Sequence, residues 1–288
     1  KSGKNRVARD NEGINSSSGR RLDMEKNMRD AAGDDYREFE IYYQPIVDVE
    51  ENRCAGAEAL IRWNSTKLGF IPPTEFIPLA EYLGLINPIG NHVLKEACRQ
   101  CRKWNEAGFP DYKVNVNLSV VQLLQPDVVE LVEAALEETG IEPRNLTLEV
   151  TESLAINDMD RMKKILERIK SLGVKIALDD FGTGYSSLNH IREIPFDVIK
   201  VDQSFVKELA NDAYSQSFVK MVAELAQTLG VNICVEGIET QAQYRVVREM
   251  KVKYIQGFYF DRPMQQCDFE KKYVCQEKAC IPEKKKVR

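Results

Sequence analysis

"DMDRMKKILERIKSLGVKIALDD", Asp158 to Asp180, contains one complete unit of the pattern that decides the fold. Apolar residues recur at the helical period, Gly173 stops the helix, and the run Val174–Leu178 reads as a strand ending in two adjacent carboxylates. The unit repeats. "QPDVVELVEAALEETG" (125–140) and "YSQSFVKMVAELAQTLG" (214–230) also end in glycine, and each precedes a strand-like run. The strand candidates are Glu40–Val49, Cys54–Trp63, Lys113–Leu118, Leu146–Val150, Lys175–Leu178, Val198–Val201, Asn232–Val235 and Tyr254–Phe258. Strands alternating with helices imply a mainly parallel sheet, and eight over about 240 residues suit a closed barrel. An open doubly wound sheet is the alternative, but no glycine-rich dinucleotide fingerprint follows the first strand. The first two strands break the rhythm, because only "EEN" joins them, a connection suited to an antiparallel hairpin. The expected fold is an α/β chain forming a modified TIM (β/α)8 barrel with its first strand antiparallel.

The ends read differently. Residues 1–34 are polar, contain "NEGINSSSGRR", and read as a linker with a short amphipathic helix over Met24–Ala32; the first residues look like a cut end. Residues 35–273 would form the barrel and 274–288 a charged tail. With 288 residues, 43% hydrophobic and 30% charged, the chain is ordinary for a globular protein. A net charge of −5 argues against a nucleic-acid polymer or an anionic membrane as partner, yet allows an anionic pocket that takes metal ions. No apolar run reaches the roughly 18 residues of a membrane span, and no signal peptide is visible. Seven cysteines, an odd number mostly within apolar runs, suit reduced thiols and a cytoplasmic location.

In such a barrel chemistry sits at the C-terminal ends of the strands. Those ends carry Glu58 and Arg62, Asn115 and Asn117, Glu149 and Glu152, Asp179 and Asp180, Lys200 and Asp202, Glu236 and Glu239, and Gln256. One polar residue at a strand end is most often a turn residue or a helix cap. Seven consecutive strands carrying them favour a site instead. Carboxylates with an amide and no His or Cys cluster form a hard-oxygen set suited to Mg²⁺ or Mn²⁺. Adjacent aspartates become tolerable if they share divalent cations, and two ions roughly 3.5–4 Å apart would clamp phosphoryl oxygens. A lysine among acids could position or deprotonate a water, and Arg62 could fork onto a phosphate.

These blocks carry a family resemblance over about Asp35 to Tyr273. "YYQPIV", "EALIRW", "GFIPPTEFIPLAE", "NVNLS", "LEVTES", "DDFGTGYSSL", "FDVIKVDQSFV", "VEGIET" and "QGFYFDRPM" resemble, in order, the EAL domain, the phosphodiesterase of the bacterial second messenger cyclic di-GMP. The name-giving triplet is Glu58-Ala59-Leu60. The resemblance implies metal-dependent hydrolysis of cyclic di-GMP to linear pGpG, with two Mg²⁺ or Mn²⁺ ions. It implies that Glu58, Asn117, Glu149 and Asp179 bind one ion, and that Asp179 bridges to a second held also by Asp180 and Glu236. Lys200, with Glu236, would act on the nucleophilic water. Gln44, Leu60, Arg62, Asp202, Glu239, Gln256 and Pro263 would contact substrate or complete the hydrogen-bond shell. Glu152 would anchor the loop after the fifth strand, in which Phe181, Gly182, Thr183 and Gly184 link metal binding to formation of a homodimer. "KSGKNRV" (1–7) is similar to the last strand of a GGDEF cyclase domain, which would make this chain the C-terminal part of a longer protein, and that parent could be membrane-anchored.

Three other readings compete: a catalytically silent cyclic di-GMP receptor, a dimerising regulatory module, and an unrelated metal-dependent barrel hydrolase. Several local signals carry less. Cys98 and Cys101 form a CxxC on a helix without a second pair at zinc spacing, His92 and His190 read as structural, and "KLGFIPP" lacks a phosphate-loop ending.

Overall fold

The computed structural model describes residues 4–152, 159–184 and 193–275. Two compact units emerge, Lys1–Glu40 with Ile61–His92, and Ile41–Leu60 with Val93–Arg288.

The larger unit is the barrel. Its strands are β1 (Phe39–Asp48) and β2 (Arg53–Ser65), both running on into the smaller unit, then β4 (Lys113–Asn117), β5 (Leu146–Thr151), β6 (Lys175–Phe181), β7 (Val198–Val201), β8 (Asn232–Val235) and β9 (Tyr254–Ile255). Each is hydrogen-bonded to the next from β2 through β9, all in parallel, and β1 closes the ring by pairing with β2 and, antiparallel, with β9. The first strand is therefore reversed, as its short connection demands. Asp48 makes the turn: its Oδ1 accepts from the amides of Glu50 and Glu51 at 3.0 and 3.1 Å, and Asn52 takes the left-handed φ of 50° that asparagine tolerates. The central strands are buried on both faces, with Leu146, Leu148 and Val150 at 1% exposure or less, which explains their near-continuous apolar sequence. Helices Val128–Thr139 and Ala213–Leu229 stop at Gly140 and Gly230, both left-handed.

Strand extents differ from expectation at several places. β9 ends at Ile255 rather than Phe258, because Gly257 turns with φ 157° and passes so close to Ile238 that a Cβ would lie 2.1 Å from its carbonyl oxygen. β10 (Met264–Gln265) is an addition, pairing antiparallel with Tyr42 and Tyr43.

The smaller unit also adds a strand, β3 (Gly69–Ile71), antiparallel to Trp63–Ser65. Phe39, Trp63 and Phe76 cluster with centroids 5.7–6.1 Å apart, and the Trp63 indole donates to Glu38 at 3.0 Å. The short helix expected over Met24–Ala32 is part of a longer one, Lys4–Gly33, so residues 4–7 are helical and not the strand suggested by "KSGKNRV". Met24, Met28 and Ala31 bury one face at helical spacing, and that stripe was the readable part. His92 stacks on Tyr36 at 4.6 Å, while His190 lies outside the described residues. Cys98 and Cys101 are buried free thiols, and Cys280 lies outside the described residues. Among the described residues no helix is long and apolar enough to cross a membrane.

Asp197 ties the strands together at their N-terminal ends. Its amide donates to Ile176 O at 2.8 Å, its carbonyl accepts from Asn232 N at 2.9 Å, and its carboxylate accepts from Ile176 N at 3.0 Å. Burial pushes the carboxyl up, but the Ile176 amide and Lys170 outweigh it and hold Asp197 below the usual aspartate range. Asp197→Ala is expected to cost roughly 1–3 kcal/mol at neutral pH, read from denaturant unfolding, because a buried amide loses its acceptor. With a depressed folded-state pKa the stabilisation is complete above the ordinary value of 3.8 and is lost as the pH falls through the lower one. The gap between the two proteins should therefore narrow in acid; a gap that widens there refutes the assignment.

Candidate active site

The site lies at the C-terminal ends of the barrel strands, and its centre is an amine. Lys200, on β7, is only 1% exposed. Its Nζ lies 2.6 Å from Glu149, 2.7 Å from Glu236, 3.2 Å from Asp179 and 3.7 Å from Glu58. Parallel register brings them together: Asn117 pairs with Glu149, and Thr151 with Asp179, on neighbouring strands. Amides tie the carboxylates further. Asn117 donates to Glu58 Oε1, Asn115 to Glu149 Oε1 and Gln256 to Glu58 Oε2, each at 2.7 Å.

One ammonium facing four carboxylates leaves excess negative charge, and the protons show it. Burial, then Glu58, raises Glu149 well above the usual glutamate value. Burial raises Glu236 to about 8, against the pull of Lys200. Glu58 is the exception: burial opposes ionisation, but Lys200 and the donors Gln256 and Asn117 bring it down. Lys200 itself is pushed well up by Glu149 and Glu236 despite its burial. A cluster that clings to protons calls for added positive charge.

Asp179 and Asp180 sit on an irregularity. The β6–β7 register shifts between Leu178 and Phe181, and Asp180 adopts φ 56°. The Asp180 amide donates to Asp179 Oδ1 at 2.9 Å. Burial, then Asp179, raises the Asp180 carboxyl. The loop beyond is held by Glu152, whose Oε2 accepts from Gly182 N at 2.9 Å and Gly184 N at 3.2 Å. Gly182 has φ 100°, and a Cβ there would lie 2.6 Å from Phe205 and Phe218, which stack at 3.9 Å. Phe181 is buried, and Thr183 donates its amide and hydroxyl to Asp180 O at 3.1 and 2.9 Å. Residues 185–188 of this loop lie outside the described residues. Glu152→Ala is expected to speed hydrogen exchange at the Gly182 and Gly184 amides by roughly tenfold or more, as two hydrogen bonds are lost. Unchanged protection would mean that the loop is held by something else.

A cavity of about 230 Å³ opens onto this cluster, lined by Glu58, Asp179, Lys200, Glu236, Gln44, Leu60, Glu239, Gln256 and Pro263. Gln44 Oε1 accepts from Gln256 at 3.0 Å, and the Glu239 amide donates to Gln243 at 2.8 Å. Asp202 and Arg62 do not line this cavity. Asp202 caps a short 3₁₀ turn, accepting from Ser204 N at 2.9 Å. Arg62 belongs to the smaller unit, where its Nη1 donates to Ile61 O at 2.9 Å. Sequence reasoning left out Gln203, Gly237, Gly257 and Phe258, which also line the cavity. "QGF" carried a signal for the last two, since they follow Gln256 directly.

Whether divalent ions suit this set is a question of donor chemistry. Among the described residues no three acids, imidazoles or thiols are spaced ready to hold an ion, and the carboxylates converge on Lys200 Nζ. The donors are nevertheless hard oxygens with surplus negative charge, and Gln256 Oε1 is buried without a hydrogen-bond partner. That chemistry fits Mg²⁺ or Mn²⁺.

Comparison with known proteins gives consistent results. The family model described as "EAL domain" matches residues 26–263. The chain is 40% identical over 251 residues, 87% of its length, to "Bifunctional diguanylate cyclase/cyclic di-GMP phosphodiesterase MucR" of Pseudomonas aeruginosa, covering 36% of that protein. It is 37% identical over 243 residues, 84% of its length, to "Cyclic di-GMP phosphodiesterase NbdA" of the same organism, covering 31% of it. The chain thus spans about a third of the length of these relatives. Among solved structures, "PaMucR Phosphodiesterase, c-di-GMP complex" superposes with a TM-score of 0.81 at 40% identity, covering 86% of this chain and 99% of that one.

Proposed function

The chain belongs to the EAL domain family, and from that premise we propose that it hydrolyses cyclic di-GMP to linear pGpG with the help of two divalent ions, Mg²⁺ or Mn²⁺. The observation that carries the reading is Lys200, a buried amine within 2.6–3.2 Å of Glu149, Glu236 and Asp179 on the wall of an open cavity. The names of MucR and NbdA support the substrate, as does the c-di-GMP complex solved for the PaMucR phosphodiesterase.

The geometry supports the following roles. Glu58, Asn117, Glu149, Asp179, Asp180 and Glu236 would hold the ions, which when bound supply Lewis acidity to a phosphoryl oxygen and to a water. Lys200 orients that water through its ammonium and stabilises negative charge as it develops on the phosphoryl oxygens. Glu236, 2.7 Å from Lys200, would accept the proton that the water gives up when it is in its ionised form, which bound cations favour. Gln44, Leu60, Glu239, Gln256 and Pro263, on the same cavity, would position the nucleotide, and Gln256 Oε1 offers an acceptor to a guanine N–H. Asp202 would act by holding the turn that carries Gln203. Glu152 would set the loop of Phe181–Gly184 through which a homodimer could form. The name and length of MucR support a parent carrying a GGDEF cyclase domain.

The deciding experiment incubates the chain with cyclic di-GMP and Mg²⁺ or Mn²⁺, with and without chelator, and separates the nucleotides by chromatography. The expected result is linear pGpG whose formation stops with chelator. Binding without product would overturn the enzymatic reading in favour of the receptor.

A further inference from the structure

A second cavity, of about 400 Å³, lies beneath the site at the N-terminal ends of the barrel strands. Its walls follow from the two-residue period of a strand. Glu58, Asn117, Glu149, Lys200, Glu236 and Gln256 point into the site; two residues earlier stand Gly56, Asn115, Thr147, Val198, Cys234 and Tyr254, and all six line the lower cavity. Barrels of this class ordinarily fill that layer with bulky branched side chains, so that the interior is a packed core. Here four of the six are a glycine, an amide, a hydroxyl and a thiol, beside Val198 and Tyr254. Gly56 cannot be larger, since a Cβ would lie 2.0 Å from Lys113 O. The space is built into the strand register.

The mouth is basic. Lys113, Lys170 and Lys175 line it against a single carboxylate, Asp197, a formal surplus of two positive charges. Lys170 and Lys175 share Asp197 Oδ1, at 3.0 and 3.2 Å. Lys113 Nζ rests instead on Tyr254, 3.2 Å from the hydroxyl and 5.5 Å from the ring centroid, both neutral partners. Phe196, Leu229 and Val231 give the cavity an apolar side. Its volume falls in the range of small-molecule sites, which join apolar walls to a few convergent polar groups.

We propose that this cavity is a second ligand site, for a small aromatic anion: a flat ring bearing one phosphate or carboxylate. The ring lies between Phe196 and Tyr254, and the anionic head meets Lys113 together with the charge that Asp197 leaves over on Lys170 and Lys175. Asn115, whose amide already donates to Glu149, forms the roof and separates this site from the one above. The assignment does not depend on the phosphodiesterase reading.

Phenyl phosphate is the probe, titrated into the full chain and followed by amide NMR, with benzoate and inorganic phosphate as parallel arms. Saturable shifts are expected at Thr147, Asn232, Cys234 and Tyr254, with inorganic phosphate at least tenfold weaker because it lacks the ring. The stronger of phenyl phosphate and benzoate identifies the preferred head group. Lys113→Met should weaken binding at least tenfold, and Val231→Trp, which fills the apolar side, should abolish it. Should Val231→Trp fail to fold, Lys113→Met decides alone. Shifts confined to the neighbourhood of Asp179 and Lys200, affinity unchanged in Lys113→Met, or no saturable shift at all would overturn the proposal.

Discussion

Asp180→Asn is expected to lower turnover of cyclic di-GMP by roughly 10²–10³-fold, the usual loss when one electrostatic stabiliser of a transition state is removed. The fold should not notice. Asp180 sits at φ 56°, a region in which Asn is as much at home as Asp. Its recorded backbone bonds, to Asp179 Oδ1 and from Thr183, do not involve its own carboxylate. Burial and Asp179 both resist its ionisation, so a neutral side chain is tolerated at least as well. Asp180→Ala is the useful contrast, because alanine lacks that conformational tolerance and should lose about 1 kcal/mol as well as activity. Purified Asp180→Asn protein with an unchanged melting temperature and unchanged turnover would remove Asp180 from the reaction. Lost turnover with cyclic di-GMP still bound would place its carboxylate in the chemistry.

What was legible in the sequence follows from what local chemistry controls. The helices that end in Gly140 and Gly230 and the hairpin turn at Asp48–Asn52 are fixed by residues a few positions apart, so pattern alone finds them. β3 and β10 are two or three residues long and exist because Trp63–Ser65 and Tyr42–Tyr43 stand beside them, which no local signal encodes. The helix Lys4–Gly33 was hidden in part by its serines and by Gly13 and Gly19, which lower helical propensity. At the site, the acids could be found because a barrel gathers the ends of its strands. Their partners could not. That Lys200 lies at the centre, that Asn115 reaches Glu149 and that Asp202 caps a turn are facts of side-chain direction, set by register and by the irregularity at Asp179–Asp180.

Lys200→Met is expected to destabilise the chelated protein by about 3–5 kcal/mol, the range for taking one partner out of a buried ionic cluster. At the scale of this chain that is a fall in melting temperature of roughly 10 °C. The side chain changes little in length and volume, so the loss comes from charge. Glu149 and Glu236, 2.6 and 2.7 Å from the missing ammonium, would face Asp179 and Glu58 without compensation. A divalent cation can supply that compensation by binding the folded state alone, which adds about 2.7 kcal/mol at a hundredfold excess over its dissociation constant. Mg²⁺ or Mn²⁺ should therefore raise the melting temperature of Lys200→Met more than that of the parent chain. Turnover should not return with it: a metal ion restores charge, but not the donor that orients the water, so a deficit of roughly 10²–10⁴ remains. The three readings diverge cleanly. Rescue of stability without rescue of activity supports both the ion site and the role of the amine. Rescue of both would make Lys200 a structural counter-charge only. A melting temperature that no divalent ion moves would sink the metal site itself, because the same carboxylates must then be satisfied by protons alone.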